Sequence, residues 1–104
     1  MNRVAFKMKL KPGFQEEYKK RHDEIWPELG EVLTRAGVTD YSIFLDEETH
    51  ILFAVQKLAA NNTAEQLPQN EIVKKWWKYM ADIMDVNSDR SPLVVGLKEV
   101  FHQD

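Results

Sequence analysis

The stretch DYSIFLDEETHILFAVQKL, residues 40–58, predicts two β-strands joined by a short turn. Residues 40–45 and 51–58 are rich in the aromatic, β-branched and other apolar residues that favour strands. Between them, Asp46-Glu47-Glu48-Thr49 is polar and short, as a hairpin loop should be. The middle of the chain is therefore predicted to form a β-hairpin.

Upstream of this hairpin, the sequence predicts one strand and one interrupted helix. Residues 3–10 alternate between apolar and polar side chains, which is typical of a half-buried strand, and Pro12-Gly13 ends it. Over residues 14–36 the apolar side chains recur every three or four positions, which predicts an amphipathic helix closed by Gly37. Because proline kinks or breaks a helix, Pro27 should interrupt this one just before its own position.

Downstream of the hairpin, the sequence predicts a divided helix and a last strand. Asn61-Asn62-Thr63 supplies residues that cap helix starts, and Pro68 separates a short first piece from a longer one with an apolar face through residues 72–84. Residues 93–101 are predicted as the last strand. The order β-α-β-β-α-β is typical of an α+β, ferredoxin-like domain, in which both helices cover one face of an antiparallel sheet. Residues 1–104 are expected to form this single domain.

The predicted third strand carries apolar side chains on both of its sides. One side holds Ile51, Phe53 and Val55, and the other holds Leu52, Ala54 and Leu58. Because helices cover only one face of such a sheet, the apolar residues on the other face favour a ligand or a second copy of the chain. We therefore expect a homodimer in which the two sheets face each other.

Composition and charge exclude several classes of protein. The chain has 104 residues, a net charge of −3 and no cysteine, which excludes disulfide scaffolds, thiol nucleophiles and iron–sulfur clusters. The acidic balance argues against nucleic acid as a partner. No apolar run approaches the roughly 18–20 residues of a membrane span, and the N-terminus does not resemble a signal peptide. We expect a cytoplasmic protein that contacts neither nucleic acid nor membrane.

Tyr18 and His22 are the first candidates for chemistry. They are four residues apart in the predicted first helix and so lie next to each other on one face. Histidine is the side chain that titrates near neutral pH, so the pair fits a general acid or base with a phenol beside it. The same spacing fits two residues of a packed core. The spacing leaves both interpretations open.

Three further aromatic residues are candidates for a binding pocket. Trp76 and Trp77 are adjacent in the predicted last helix and point about 100° apart, which fits either a pocket wall or core packing. Tyr41 begins the second strand and fits either a pocket or the solvated end of the core. No histidine pair has metal-ligand spacing, and no glycine-rich phosphate loop is present, so neither a metal nor a cofactor is expected.

Several blocks of the sequence together resemble the L-rhamnose mutarotase family. They are Tyr18-x-x-x-His22, Ile25-Trp26-Pro27-Glu28-Leu29, Tyr41-Ser42-Ile43-Phe44-Leu45-Asp46, Trp76-Trp77-Lys78-Tyr79-Met80-Ala81-Asp82-Ile83-Met84 and Leu97-x-Glu99-Val100-Phe101-His102. The resemblance covers nearly the whole chain and is specific, because the tryptophan-containing blocks are long and unusual. It is weakest at residues 59–70, which carry none of the residues that the family's chemistry requires.

The resemblance implies a homodimeric protein of the dimeric α+β barrel type that interconverts the α and β anomers of L-rhamnopyranose. It implies that His22 is the proton donor. It further implies that Tyr18, Tyr41, Trp76 and Trp77 contact the substrate, and that no cofactor is needed. The sequence does not identify the base. Two alternatives have the same fold, namely a mono-oxygenase of the dimeric barrel type and a sugar-binding module without catalysis.

Overall fold

The structure, a computed structural model, describes residues 2–104. Its strands are β1 (Asn2–Lys9), β2 (Val38–Asp46), β3 (Ile51–Leu58) and β4 (Val95–Leu97). Its helices are α1 (Gln15–Asp23), α2 (Pro27–Arg35) and α3 (Glu71–Met80), with a 3₁₀ helix at Ala64–Gln69 before α3.

The four strands form one antiparallel sheet in the order β2-β3-β1-β4. Strand β3 therefore lies between β1 and β2, although β1 and β2 are consecutive along the chain. The predicted hairpin forms with Phe44 opposite Phe53. This split βαβ arrangement confirms the predicted α+β, ferredoxin-like fold.

The first helical region is broken where the sequence predicts. Helix α1 ends at Asp23, and Pro27 occupies the first turn of α2, where its missing N–H is not needed. Trp26 takes the extended conformation that a residue before proline favours, with φ −62° and ψ 129°. Gly37 follows α2 at φ +86°, a conformation in which a side chain would be strained. The chain turns there into β2.

The last helix is capped by Asn70, which was not among the predicted capping residues, and it is shorter than its apolar pattern. The Asn70 side chain accepts hydrogen bonds from the backbone N–H groups of Ile72 and Val73, at 2.9 and 3.3 Å. The pattern predicts a helix through residue 84, whereas α3 ends at Met80. Ile83 and Met84 are nevertheless 0% and 3% exposed, because the turn after α3 folds back onto the core. Ile83 and Met84 therefore continue the apolar pattern of α3 because they are buried, although they lie in a turn and not in the helix.

The last strand is also shorter than predicted. The sequence predicts a strand over residues 93–101, but only Val95–Leu97 pair with β1, opposite residues 5–7. Beyond them, Val100 and Phe101 are 88% and 78% exposed. The apolar pattern here belongs to a sheet edge and an exposed tail.

The core lies between the helices and one face of the sheet. Its buried members are Met8, Leu10, Tyr18, Leu29, Leu52, Ala54, Val73, Trp76, Met80, Ile83 and Met84. Tyr18 and Trp76 belong to this cluster, so two of the predicted site residues line the core. These two candidates therefore stand where α1 meets α3. Within residues 2–104, no helix is long and apolar enough to cross a membrane.

Candidate active site

His22 lies in the last turn of α1 and is held by its own helix. Its Nδ1 atom is 3.0 Å from the backbone carbonyl oxygen of Tyr18. Because a carbonyl oxygen only accepts hydrogen bonds, Nδ1 is the donor and carries a hydrogen. The ring stacks on the Tyr18 ring with centroids 4.3 Å apart. It also meets Trp76 of α3 edge-on, with centroids 5.4 Å apart.

Burial is the main influence on the charge of His22. It lowers the pKa of the imidazole below its usual value of 6.5. The hydrogen bond to the Tyr18 carbonyl and the negative charge of Asp23 oppose this shift without cancelling it. The neutral ring is therefore the main form at neutral pH.

Tyr18 and Tyr41 bring two phenols into the same region. Burial raises the pKa of Tyr18, and nearby Tyr41 raises it further. Burial also raises the pKa of Tyr41, which a hydrogen bond with Gln56 of β3 partly offsets. Tyr41 as a whole is 38% exposed. Both hydroxyls stay protonated at neutral pH and can donate hydrogen bonds to a polar ligand.

Two aromatic residues that the sequence did not mark as site residues complete the cluster around Trp76. The Trp26 ring lies 5.1 Å from Trp76 at an interplanar angle of 87°, and stacks on Tyr79 at 5.6 Å. Tyr79 is one helical turn after Trp76, and their centroids are 5.7 Å apart. Trp26 joins the cluster because the break before Pro27 turns it toward α3. In the sequence, the break before Pro27 could have indicated Trp26 as a site residue, and the three-residue spacing from Trp76 could have indicated Tyr79.

Trp77 stands apart from this aromatic cluster. It follows Trp76 in α3 and so points about 100° away around the helix. It lines a surface depression together with Pro68, Lys74, Lys78 and the turn at residues 88–90. Within residues 2–104 its ring makes no contact with Tyr18, His22, Trp26 or Tyr79 of the kind described above. The structure thus groups Tyr18, His22 and Trp76, places the Tyr41 hydroxyl nearby, and separates Trp77.

Arg21 ties α1 to the end of α3 beside His22. Its side chain is only 11% exposed. It donates hydrogen bonds to Glu17 at 2.7 Å, to the Tyr79 carbonyl at 2.7 Å and to Asp82 at 2.9 Å. Its guanidinium also lies 4.4 Å from the centre of the Tyr79 ring. These contacts fix α1 against α3, and thereby fix His22 against Trp76.

The arrangement can move protons and bind an apolar ring face. A histidine, two protonated phenols and indole surfaces together suit acid–base chemistry on a hydroxylated ring compound. Within residues 2–104, no group of three histidine, aspartate or glutamate side chains is arranged to hold a metal ion.

Comparison with known proteins identifies the family. The family model described as L-rhamnose mutarotase matches residues 3–103. The chain belongs to the L-rhamnose mutarotase family. It is 58% identical to the L-rhamnose mutarotase of Bacteroides thetaiotaomicron and 57% identical to that of Phocaeicola vulgatus, each over 100% of both chains.

A solved structure of a family member has the same fold. The crystal structure of the L-rhamnose mutarotase from Formosa agariphila covers 100% of both chains, with 54% identity and a TM-score of 0.93. This likeness confirms both the predicted family and the predicted α+β fold.

Proposed function

We propose that this protein interconverts the α and β anomers of L-rhamnopyranose, with His22 as the proton donor. Membership of the L-rhamnose mutarotase family supports the reaction and the sugar. The observation that carries the assignment to His22 is its position, stacked on Tyr18 and edge-on to Trp76 at the contact of α1 and α3.

The reaction needs only proton transfer at two oxygens. The ring opens when the anomeric hydroxyl loses a proton and the ring oxygen gains one. The open-chain aldehyde then rotates and closes on its other face. General acid–base catalysis typically supplies about 10²–10⁴-fold, which is a useful gain for a reaction that proceeds slowly in water.

The aromatic residues supply the binding surface in this proposal. The Trp76 and Trp26 rings, 5.1 Å apart, offer apolar surface for the sugar's C–H groups and its 6-methyl group. The protonated hydroxyls of Tyr18 and Tyr41 would hydrogen-bond sugar hydroxyls and hold one orientation. Trp77 is proposed as a contact on the family resemblance alone, because its ring lies outside the aromatic cluster.

Saturation transfer between the two anomeric protons of L-rhamnose tests this proposal. We expect wild type to accelerate the exchange and His22→Ala to lose most of the acceleration. Equal acceleration by both proteins would keep the function and reject His22 as the donor. Broadened sugar signals without acceleration by wild type would support the sugar-binding module instead.

The proposal includes a homodimer formed through the exposed sheet face. Cross-strand partners share a face, and Phe44 with Phe53, and Val55 with Ala5, lie on the side opposite the core. Phe44 is 62% exposed. An exposed apolar face of this kind favours self-association. Sedimentation equilibrium should give twice the chain mass of 12.2 kDa, and a single-chain mass at micromolar concentration would contradict the proposal.

The location in the cell is a further part of the proposal. A cytoplasmic location follows from the sequence expectations alone. Fractionation of the native host with an antibody against the chain tests it, and recovery outside the cytoplasmic fraction would reject it.

A further inference from the structure

We propose that His22 is the base as well as the acid, with Nε2 taking the proton of the anomeric hydroxyl and returning it to the ring oxygen. This inference rests on the proposed function and adds the base that the sequence leaves unidentified. The substrate itself supplies the proton that His22 donates.

The hydrogen bond of Nδ1 determines which nitrogen can act. Nδ1 donates to the Tyr18 carbonyl oxygen at 3.0 Å. In a neutral imidazole only one nitrogen carries hydrogen, so the lone pair lies on Nε2. The opposite tautomer would turn a lone pair of Nδ1 toward a carbonyl oxygen, which is repulsive. The helix backbone therefore holds His22 in the form whose free nitrogen accepts a proton.

Nε2 is also free to meet a ligand. Among residues 2–104 it has no hydrogen-bond partner, since the bond of His22 is made by Nδ1. Among residues 2–104, the buried side-chain nitrogen without a hydrogen-bond partner is Nδ1 of His50. Since Nε2 of His22 also has no partner and is not in that buried class, it keeps accessible surface. An unpaired, accessible nitrogen beside the Tyr18 and Trp76 rings is where a sugar hydroxyl can bind.

The charges around His22 leave the neutral form dominant. On α1, Asp23 favours the protonated ring, while Arg21 is engaged by Glu17 and Asp82. Tyr18 of α1 and Tyr41 of β2 are uncharged phenols at neutral pH because burial raises the pKa of both, and the Tyr79 ring of α3 packs on Trp26 and Trp76. Burial outweighs Asp23 and lowers the pKa of His22. With the pKa of His22 below its usual value, the neutral ring is the dominant form at pH 7.

The proton balance closes with this one residue. Nε2 takes the proton from the anomeric oxygen, and the electron pair left there forms the C1 carbonyl. The bond from C1 to the ring oxygen breaks, and its electron pair goes to the ring oxygen, which takes the proton back from Nε2. Because both oxygens are bonded to C1, one nitrogen can serve them in turn. Closure after rotation of the aldehyde runs the same steps in reverse.

The tyrosines do not compete for the role of base. Burial raises the pKa of both Tyr18 and Tyr41 above the usual value of 10.0. A phenol must be ionised before it can accept a proton, so these two act as hydrogen-bond donors at neutral pH. Tyr18 contributes instead through its carbonyl, which fixes the histidine tautomer.

The pH dependence of kcat/KM for L-rhamnose, corrected for the spontaneous rate, tests the inference. If neutral His22 starts the reaction, kcat/KM is level well above the His22 pKa and falls about tenfold per pH unit below it. A donor that must start protonated gives the opposite profile, with kcat/KM falling as the pH rises through that pKa. The opposite profile overturns the inference while leaving the mutarotase function intact.

Nitrogen-15 NMR of the imidazoles supplies a readout that does not depend on activity. We expect hydrogen on Nδ1 and none on Nε2 of His22 at pH 8, and a titration midpoint equal to that of kcat/KM. Hydrogen on Nε2 at pH 8 would overturn the inference. His102→Asn, at the exposed C-terminus, is the control and should leave the profile unchanged. Absence of exchange by wild type at every pH would reject the proposed function itself.

Discussion

The two faces of the sheet differ in what their apolar residues do. On the helix-covered face, Met8, Leu52 and Ala54 are at most 7% exposed and support the aromatic cluster of α1 and α3. On the other face, Phe44 is 62% exposed and Val95 is 53% exposed. Alternation along a strand supplies both faces equally. The candidate active site therefore lies on the face that the helices cover. We propose that a second copy of the chain packs on the open face.

The largest expected effect is on catalysis at the helix-covered face. His22→Asn keeps a polar side chain but cannot exchange a proton near neutral pH. We expect kcat/KM to fall by about 10²–10⁴-fold. Polarimetry at matched protein concentration measures the rate, and an unchanged far-ultraviolet dichroism spectrum shows that the fold is kept. A loss below threefold would assign the chemistry to another residue.

The adjacent tryptophans sharpen the comparison within one helix. Trp76 is 8% exposed and belongs to the core, so Trp76→Ala should lower the free energy of unfolding by about 3–5 kcal/mol. It should also raise KM more than it lowers kcat, because a binding surface is lost. Trp77 points about 100° away around α3 and is only partly buried against the core, so Trp77→Ala should cost less stability. Urea unfolding measures the stability of both variants, and rate measurements give their kcat and KM. Equal losses of stability in the two variants would contradict the structure.

Arg21→Lys tests whether the tie between α1 and α3 positions His22. Lysine keeps the charge but cannot reproduce the fork that reaches Glu17, Tyr79 and Asp82. We expect a loss of about 1.5–3 kcal/mol in the free energy of unfolding and a lower kcat at an unchanged pH midpoint. The control is Lys19→Ala, which removes the exposed pair with Asp23 and should cost at most about 1 kcal/mol. Unaltered kcat in Arg21→Lys would reduce Arg21 to a purely structural role.

The smallest expected effect on chain stability comes from the open face. Phe44→Glu places a charge on a side chain that is already 62% exposed. In an isolated chain such a change should alter stability by about 0.5 kcal/mol or less. Its main consequence should be loss of the dimer in sedimentation equilibrium, because a charge would be buried between two sheets. If Phe44→Glu forms a dimer as tight as that of wild type, the dimer interface does not include this face of the sheet.

Local patterns in the sequence predicted the parts of the fold that local rules govern. The break before Pro27 follows from steric limits on the preceding residue, and Tyr18 and His22 meet because helix spacing brings them together. The ends of α3 and β4 were wrong because they depend on where the core and β1 stop offering partners. Periodicity records burial and does not show which backbone groups pair.

The candidate site was predicted only where its members are neighbours along the chain. Arg21 and Asp82 are 61 positions apart, and their contact depends on how α1 packs against α3. Tyr41 lies in an irregular step of β2, between the paired residues 39 and 42, so simple alternation does not give the direction of its side chain. Such contacts arise from tertiary packing, which no local pattern encodes.

The most direct test of the account compares one variant from each face in a single saturation-transfer experiment. Exchange between the anomeric protons of L-rhamnose is measured at pH 7 with wild type, His22→Asn and Phe44→Glu at equal chain concentration. We predict that Phe44→Glu retains rapid exchange and that His22→Asn approaches the spontaneous rate. The opposite result is rapid exchange with His22→Asn and loss of exchange with Phe44→Glu. It would place catalysis on the open face of the sheet and contradict the assignment to His22.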